Sequence, residues 1–396
     1  MYQNIYTGQK FMIKLVSNFF VLSLMTISSI AQENEIPKRT RDYGIRIGIL
    51  PTGKLNAITD VKGVRVGHVT LIQGDSIHTG VTAILPHPEN IFQQKVPAGL
   101  FIGNGFGKMS GISQIKELGN LETPIILTNT LNVGTAMQAV VKYTLSQPGN
   151  ETIKSVNAVV GETNDATLND IRGFHVHEQD VLDAIQSAKP GIVEEGNVGA
   201  GTGTVCFGFK GGIGTASRKL PDKMGGYTVG VIVQSNYGGV LQINGVPIGK
   251  ELRQFSFSNS LLNNVDGSCM VIIATDAPLS DRNLERLATR SFLGLGKTGG
   301  IASNGSGEYF LAFSTHKSVR IPHQPTSTIL DQKTLHNDEL SSLFMAAIEA
   351  TEEAVINSLF TARTVNGYQK TIPSLPLDKV IQLMKKHNAL TPVKKK

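Results

Sequence analysis

The chain has 396 residues, 40% hydrophobic and 17% charged, which excludes an intrinsically disordered protein and leaves room for one large core or two modest domains. Its 42 glycines follow no three-residue period, which excludes a collagen-like chain, and no solenoid-type repeat is present. A net charge of +6 without a single tryptophan argues against a nucleic-acid surface, which would interleave basic side chains with aromatics.

Residues 1–31 read as an export signal rather than as part of the fold. Lys14 precedes an apolar run from Leu15 to Ile30, and Ser29-Ile30-Ala31 makes a small-x-small cleavage pattern. The run is too short and too weakly flanked for a spanning helix. Met12-Ile13-Lys14 is itself a compact positive start, so Met1 and Met12 are alternative first residues. No cysteine follows the cleavage point, and no lipid anchor is expected. The expectation is a periplasmic or secreted protein beginning at Gln32. Its charge falls to +4, much of it in Lys385, Lys386, Lys394, Lys395 and Lys396, a tail expected to stay solvated.

From Gly44 onward, short Val/Ile-rich runs alternate with turns marked by Gly, Asn and Pro. Strands are predicted over 61–69, 80–85, 97–102 and 123–127. Helices are predicted over 133–145, where Ala136, Val140 and Val141 share a face, and over 176–188, 284–293 and 338–359. In the last, Leu340, Leu343, Phe344, Ala347, Ile348 and Val355 form one apolar stripe, with Asn337 as its cap. Strands between helices point to an α/β layered domain with a mixed sheet.

Two segments read as linkers. Residues 217–226 (SRKLPDKMGG) are polar and turn-rich. Within residues 246–267, the arm from Gln254 to Asn264 is polar and Ser- and Asn-rich; it ends in Val265-Asp266-Gly267 and runs directly into Ser268-Cys269-Met270-Val271-Ile272-Ile273, a buried-strand pattern. A polar arm thus meets a rigid strand at Gly267/Ser268. An amino-terminal serine supplies nucleophile and base in one residue, because its α-amino group has a pKa near ~8. Creating that terminus inside a chain requires opening the preceding peptide bond. Glycine before the serine suits this step, since it leaves the carbonyl accessible and tolerates strained backbone.

The blocks DGS (266–268), QSNYGG (234–239), GETND (161–165), TNTLNVGTA (128–136) and the stretch from ATDAPLSDRN to Ser306-Gly307-Glu308 occur in a fixed order. Together with the opening RDYGIRIGILPTGKLNAITDVKGVRVGHVTL, they resemble the DmpA-type family of L-aminopeptidase/D-esterases and β-peptidyl aminopeptidases, from about Arg41 to Thr315. The resemblance implies a four-layer αββα sandwich, shared with ornithine acetyltransferases, self-cleaved into chains 32–267 and 268–396 that stay together. It implies Ser268 as nucleophile, Ser306 and Glu308 as hydrogen-bonding partners of the nucleophile and its amine, and Asn236 as an oxyanion donor. Glu162 becomes the anchor for a substrate ammonium. Asn164 departs from the tyrosine that such aminopeptidases carry after the GET block, which opens the choice between α- and β-peptides. Oligomers of the cleaved pairs are also implied.

These roles are chemically coherent. Residues two apart on a strand share a face, so Ser306 and Glu308 belong to one pocket. An asparagine amide is a neutral donor to an oxyanion, and a carboxylate near the amino end of a substrate excludes blocked peptides. No cofactor or metal is called for. Gly103-Asn-Gly105-Phe-Gly107-Lys108-Met109 has neither the spacing nor the hydroxyl of a P-loop. The glycine runs at 199–203 and 212–214 fail as dinucleotide fingerprints and read as close backbone approaches near the cleavage point. His175 and His177 lack a third ligand and read as a surface pair; His68, His78 and His87 are scattered. Cys206 and Cys269 could form one disulfide or remain buried thiols. The expected function is an exported serine aminopeptidase acting on short peptides, amides or esters. The alternatives are an amidase or acyl-transfer relative, or a non-catalytic binding protein of the same fold.

Overall fold

The computed structural model describes residues 38–256 and 267–392. The expected export segment, most of the polar arm (257–266) and the last lysines lie outside the described residues. The Val/Ile runs become strands β1 Arg65–Gln73, β2 Ile77–Leu85, β3 Gln94–Gly105, β4 Ile125–Asn129, β5 Val159–Thr163, β6 Gly212–Lys219, β7 Thr228–Asn236, β8 Gly267–Thr275 and β9 Ser306–Ser314. The principal helices are α1 Ile112–Leu118, α2 Val133–Leu145, α3 Glu178–Gln186, α4 Asp281–Lys297, α5 Ser341–Thr361 and α6 Leu377–Lys386.

The strands form two mixed sheets, a smaller one in the order β1-β2-β4-β5 and a larger one in the order β3-β9-β8-β7-β6. The parallel pair β8–β9 requires a crossover, and α4 supplies it. Strand alternation sends successive side chains of each sheet to opposite faces, and three apolar cores result. Ile84, Ile125 and Leu127 of the smaller sheet meet Ile232, Met270, Ile272 and Leu311 of the larger one. The other face of the larger sheet packs Val233, Val271 and Phe310 against Leu284 and Leu287 of α4 and Leu343 and Ala354 of α5. The other face of the smaller sheet packs Val81, Ile126 and Val160 against α2 and α3. All nine residues of β8 are buried, as the apolar run from Cys269 onward requires.

Helix α2 has the predicted bounds, and the other predicted helices and strands are present with shifted ends. The strand expected from Val61 begins at Arg65, because a 3-10 turn occupies Ile58–Asp60. Three readings need correction. Asn337 lies inside a 3-10 turn capped by His336, whose ring accepts from the Asp338 amide at 3.4 Å, and α5 itself follows Leu340, which makes no side-chain cap bond. The single apolar stripe of α5 is replaced by burial on nearly every side from Glu349 to Thr361. The polar segment from Ser217 is not all linker: Ser217 and Arg218 lie in β6 with no exposed surface.

The last two corrections share one cause. Arg218 Nε bonds Glu349 Oε2 at 2.8 Å and its Nη2 bonds Glu353 Oε2 at 2.7 Å, so charges on β6 and α5 neutralise one another inside the protein. Arg41 Nε adds a 2.6 Å contact to Glu353. Burial alone would raise the Glu353 carboxyl; the Arg41 hydrogen bond and both guanidinium charges bring it below the ordinary range. Cys206 and Cys269 are free and buried, and burial pushes the Cys206 thiol up to about 12. Among the described residues no helix is long and apolar enough to cross a membrane.

Candidate active site

The registers of three adjacent strands converge at the start of β8. Antiparallel pairing sets Asn236, the last residue of β7, opposite Ser268. Parallel pairing sets Ser306 opposite Gly267, Gly307 opposite Ser268 and Glu308 opposite Cys269. Directly paired residues share a face. Ser268 and Asn236 therefore face the smaller sheet with Met270, while Glu308 faces the helices with Cys269.

Ser268 is 5% exposed, and its hydroxyl donates to the carbonyl oxygen of Gly267 at 2.6 Å. Its neighbour across the strand pair, Gly307, has no side chain to cover it. A Cβ there would stand 3.3 Å from Ser268 Oγ and 2.4 Å from the Phe106 carbonyl. Gly267 is equally confined, since a Cβ would lie 2.6 Å from the Asn236 carbonyl oxygen.

The structure brings Ser306 and Glu308 into contact, the serine hydroxyl donating to Glu308 Oε1, and both are buried. Glu308 Oε2 is buried without a hydrogen-bond partner. Burial raises this carboxyl to about 7, and the Ser306 hydrogen bond only partly opposes that rise. Neither residue lines the cavity beside Ser268, and neither side chain hydrogen-bonds the Ser268 hydroxyl.

That cavity has a volume of about 950 Å³ and is walled by Gly267, Ser268, Asn236, Glu162 and Asn164 among others. Asn236 is fixed at both ends: its Oδ1 accepts from the Val205 amide at 2.8 Å and its Nδ2 donates to the Asn164 carbonyl at 3.1 Å. Glu162 is 2% exposed, accepting from the Lys108 amide at 2.9 Å and from the Thr130 hydroxyl. Asn164 is exposed, and its Oδ1 is engaged locally by the Ala166 amide at 2.9 Å. It thus meets the site through its backbone carbonyl, where the family resemblance supplied a tyrosine side chain.

Residues 56–372 match the model of peptidase family S58. The chain belongs to that family. It is 41% identical over 382 residues to the β-peptidyl aminopeptidase BapA of Sphingosinicella microcystinivorans, covering 90% of this chain and 94% of that one. It is 37% identical over 386 residues to BapA of Sphingosinicella xenopeptidilytica, covering 92% and 95%. The L-aminopeptidase D-Ala-esterase/amidase of Ochrobactrum anthropi, described as a variant of the Ntn hydrolase fold, superposes with a TM-score of 0.82 at 36% identity, over 89% of this chain and 99% of that one. The resemblance carried by the sequence blocks therefore holds, and the S58 chain described here is an aminopeptidase-type hydrolase.

Several parts of this S58 site escaped sequence reading. Gly105 to Lys108, set aside as a failed P-loop, form one wall of the cavity. Tyr309 holds that wall through a 3.1 Å hydrogen bond to the Gly107 carbonyl. Thr130 sits in the TNTLNVGTA block without a sign of its contact with Glu162. Gly307 was legible only as the middle of Ser-Gly-Glu; a strand register was needed to see it open the space at Ser268. The glycines at 199–203 do permit backbone contact, but with β6: a Cβ at Gly201 would lie 2.3 Å from the Ile213 amide nitrogen. His175 comes 4.0 Å from Asp170, and His177 pairs with Asp180 at 3.5 Å. No group of three or more His, Cys, Asp or Glu side chains is placed to hold a metal among the described residues.

Proposed function

We propose that the chain cuts itself between Gly267 and Ser268 and that the freed Ser268 is the nucleophile of the aminopeptidase. The observation that carries this reading is the 2.6 Å contact of Ser268 Oγ with the Gly267 carbonyl oxygen at the fixed start of β8. Attack of Oγ on the Gly267 carbonyl carbon breaks the C–N bond, forms an ester and leaves the Ser268 nitrogen as an amine after proton transfer. Water then hydrolyses the ester, giving the Gly267 carboxylate and restoring the hydroxyl. No imidazole or carboxylate hydrogen-bonds this hydroxyl among the described residues, which favours the new amine as its base.

Cutting also releases the Ser268 nitrogen from Gly267, the residue opposite Ser306. The new amino group then lies beside the Ser306–Glu308 pair, whose bare Oε2 is free to receive an N–H. In turnover, Ser268 Oγ attacks the substrate carbonyl and the free Nδ2 hydrogen of Asn236 stabilises the oxyanion. The amine protonates the leaving nitrogen, and water releases the acyl group. Glu162 binds the ammonium of the residue being removed. Substrates are short peptides, amides or esters with a free amino end, β-peptides among them as in the named relatives.

The three stacked cores support the four-layer αββα arrangement, with cleaved chains of 236 residues (32–267) and 129 residues (268–396) after loss of an export signal. Location is proposed as periplasmic or secreted, and the cleaved pairs as units of a homo-oligomer. A denaturing gel of the purified protein tests the central step. Two fragments of these sizes are expected, and a single intact chain for Ser268→Ala. A wild-type chain that stays whole while hydrolysing peptides would sink the mechanism.

A further inference from the structure

Among the described residues, the charged side chains lining the cavity are Lys108, Glu162, Arg253 and Lys370. Lys108 Nζ lies 3.7 Å from Glu162 Oε1, so these two largely neutralise each other at one flank. Arg253 and Lys370 are different. Both are exposed, and neither makes an ion pair or a side-chain hydrogen bond with any described residue. Among the described residues, the cavity of the uncut chain therefore carries two positive charges without a charged partner, in addition to the Lys108–Glu162 pair.

Their positions follow from the backbone. Lys370 sits on the turn between the short strands Val365–Asn366 and Thr371–Ile372. This hairpin is tied down by Tyr368 N donating to the Leu168 carbonyl at 2.9 Å, and its Val365 and Ile372 pack with Val205. Arg253 follows the short helix Ile248–Glu251 with φ +55°, a left-handed conformation uncommon for a residue with a side chain. The adjacent Gln254 reaches the Phe207 carbonyl. Arg253 thus borders the stretch 205–208, which begins at the residue bonded to Asn236 Oδ1, while the Lys370 hairpin spans from Val205 to the Thr167 carbonyl, which accepts from the Gln369 amide at 3.3 Å. Glu162 instead adjoins Asn164, which is bonded to Asn236 Nδ2.

We infer that Arg253 and Lys370 bind the free carboxylate of the leaving portion of the substrate, so that the enzyme selects short peptides with both ends unblocked over their C-terminal amides. The inference rests on the aminopeptidase reading above. Charge-assisted bonds at exposed positions are modest and screened by salt, so roughly a three- to tenfold preference is expected at low ionic strength.

The test uses the fully matured enzyme with a dipeptide and the same dipeptide as its C-terminal amide. The ratio of kcat/KM for acid over amide should be about three to ten, should shrink in high salt, and should move toward one in the Arg253→Gln/Lys370→Gln double variant, chiefly through KM for the acid. Lys370→Glu should push the ratio below its wild-type value further than Lys370→Gln. A wild-type ratio near one, or a ratio unmoved by the double variant, overturns the carboxylate subsite alone. A cleaved enzyme that turns over neither compound overturns the aminopeptidase reading, and this inference with it.

Discussion

Glu308 keeps one carboxylate oxygen on the Ser306 hydroxyl and the other bare, inside the protein. Burial raises its folded-state pKa from 4.5 to about 7, so in the uncut chain the neutral acid is the favoured form. The stability linked to that proton is fully present below 4.5 and is lost as pH rises through about 7. In a Ser268→Ala background, Glu308→Gln should therefore melt higher than its parent at pH 8 and no higher at pH 4.5. Equal melting temperatures at pH 8 would show that the carboxyl carries no such penalty. On the proposed cleavage the sign would reverse, because an ammonium beside Glu308 would favour the carboxylate, and the same substitution should then lower activity. The Ser-Gly-Glu spacing made the shared face of Ser306 and Glu308 legible. That this face is turned away from the Ser268 side chain depends on the pairing of Glu308 with Cys269, and a single strand does not record its partner.

Among whole elements, β6 and α5 show how sequence patterns can mislead. Arg218 falls in a stretch read as a linker, and Glu349 and Glu353 lie outside the predicted apolar stripe, yet they join β6 to the longest described helix through buried ion pairs. Arg218→Met would leave two buried carboxylates without their common cation, at a cost of about 3–5 kcal/mol. Urea unfolding of the uncut Ser268→Ala chain should show a correspondingly lower midpoint, whereas a shift within about 0.5 kcal/mol, the range of ordinary surface substitutions, would refute the buried network. Helix α2 was legible to its end residues because its apolar positions repeat at helical spacing toward one core. Helix α5 existed in the sequence but its surroundings did not, since periodicity counts apolar residues and is blind to charges neutralised from another element.

Across the whole molecule, the order of the sequence blocks made the fold class readable, while the cavity was not. Its walls come from residues near 106, 130, 162, 205, 253 and 370, and no local pattern states which loops converge. The proposed cut falls between strands that are neighbours in the larger sheet: β8 and β9 would belong to the shorter chain, β3, β6 and β7 to the longer one. The two chains should therefore remain joined by ladder hydrogen bonds and a common core. Sedimentation is expected to give the same native mass for cleaved wild type and uncut Ser268→Ala; release of a free 129-residue fragment would contradict the shared sheet. The place of β8, held by β7 on one side and β9 on the other, has a further consequence for timing. Halves synthesised separately would each begin with unsatisfied sheet edges, open to self-association. If the proposed cut is made, an intact polypeptide would complete the sheet first and acquire its reactive amine last, so a copy that had not finished folding would have no means of attacking other peptides.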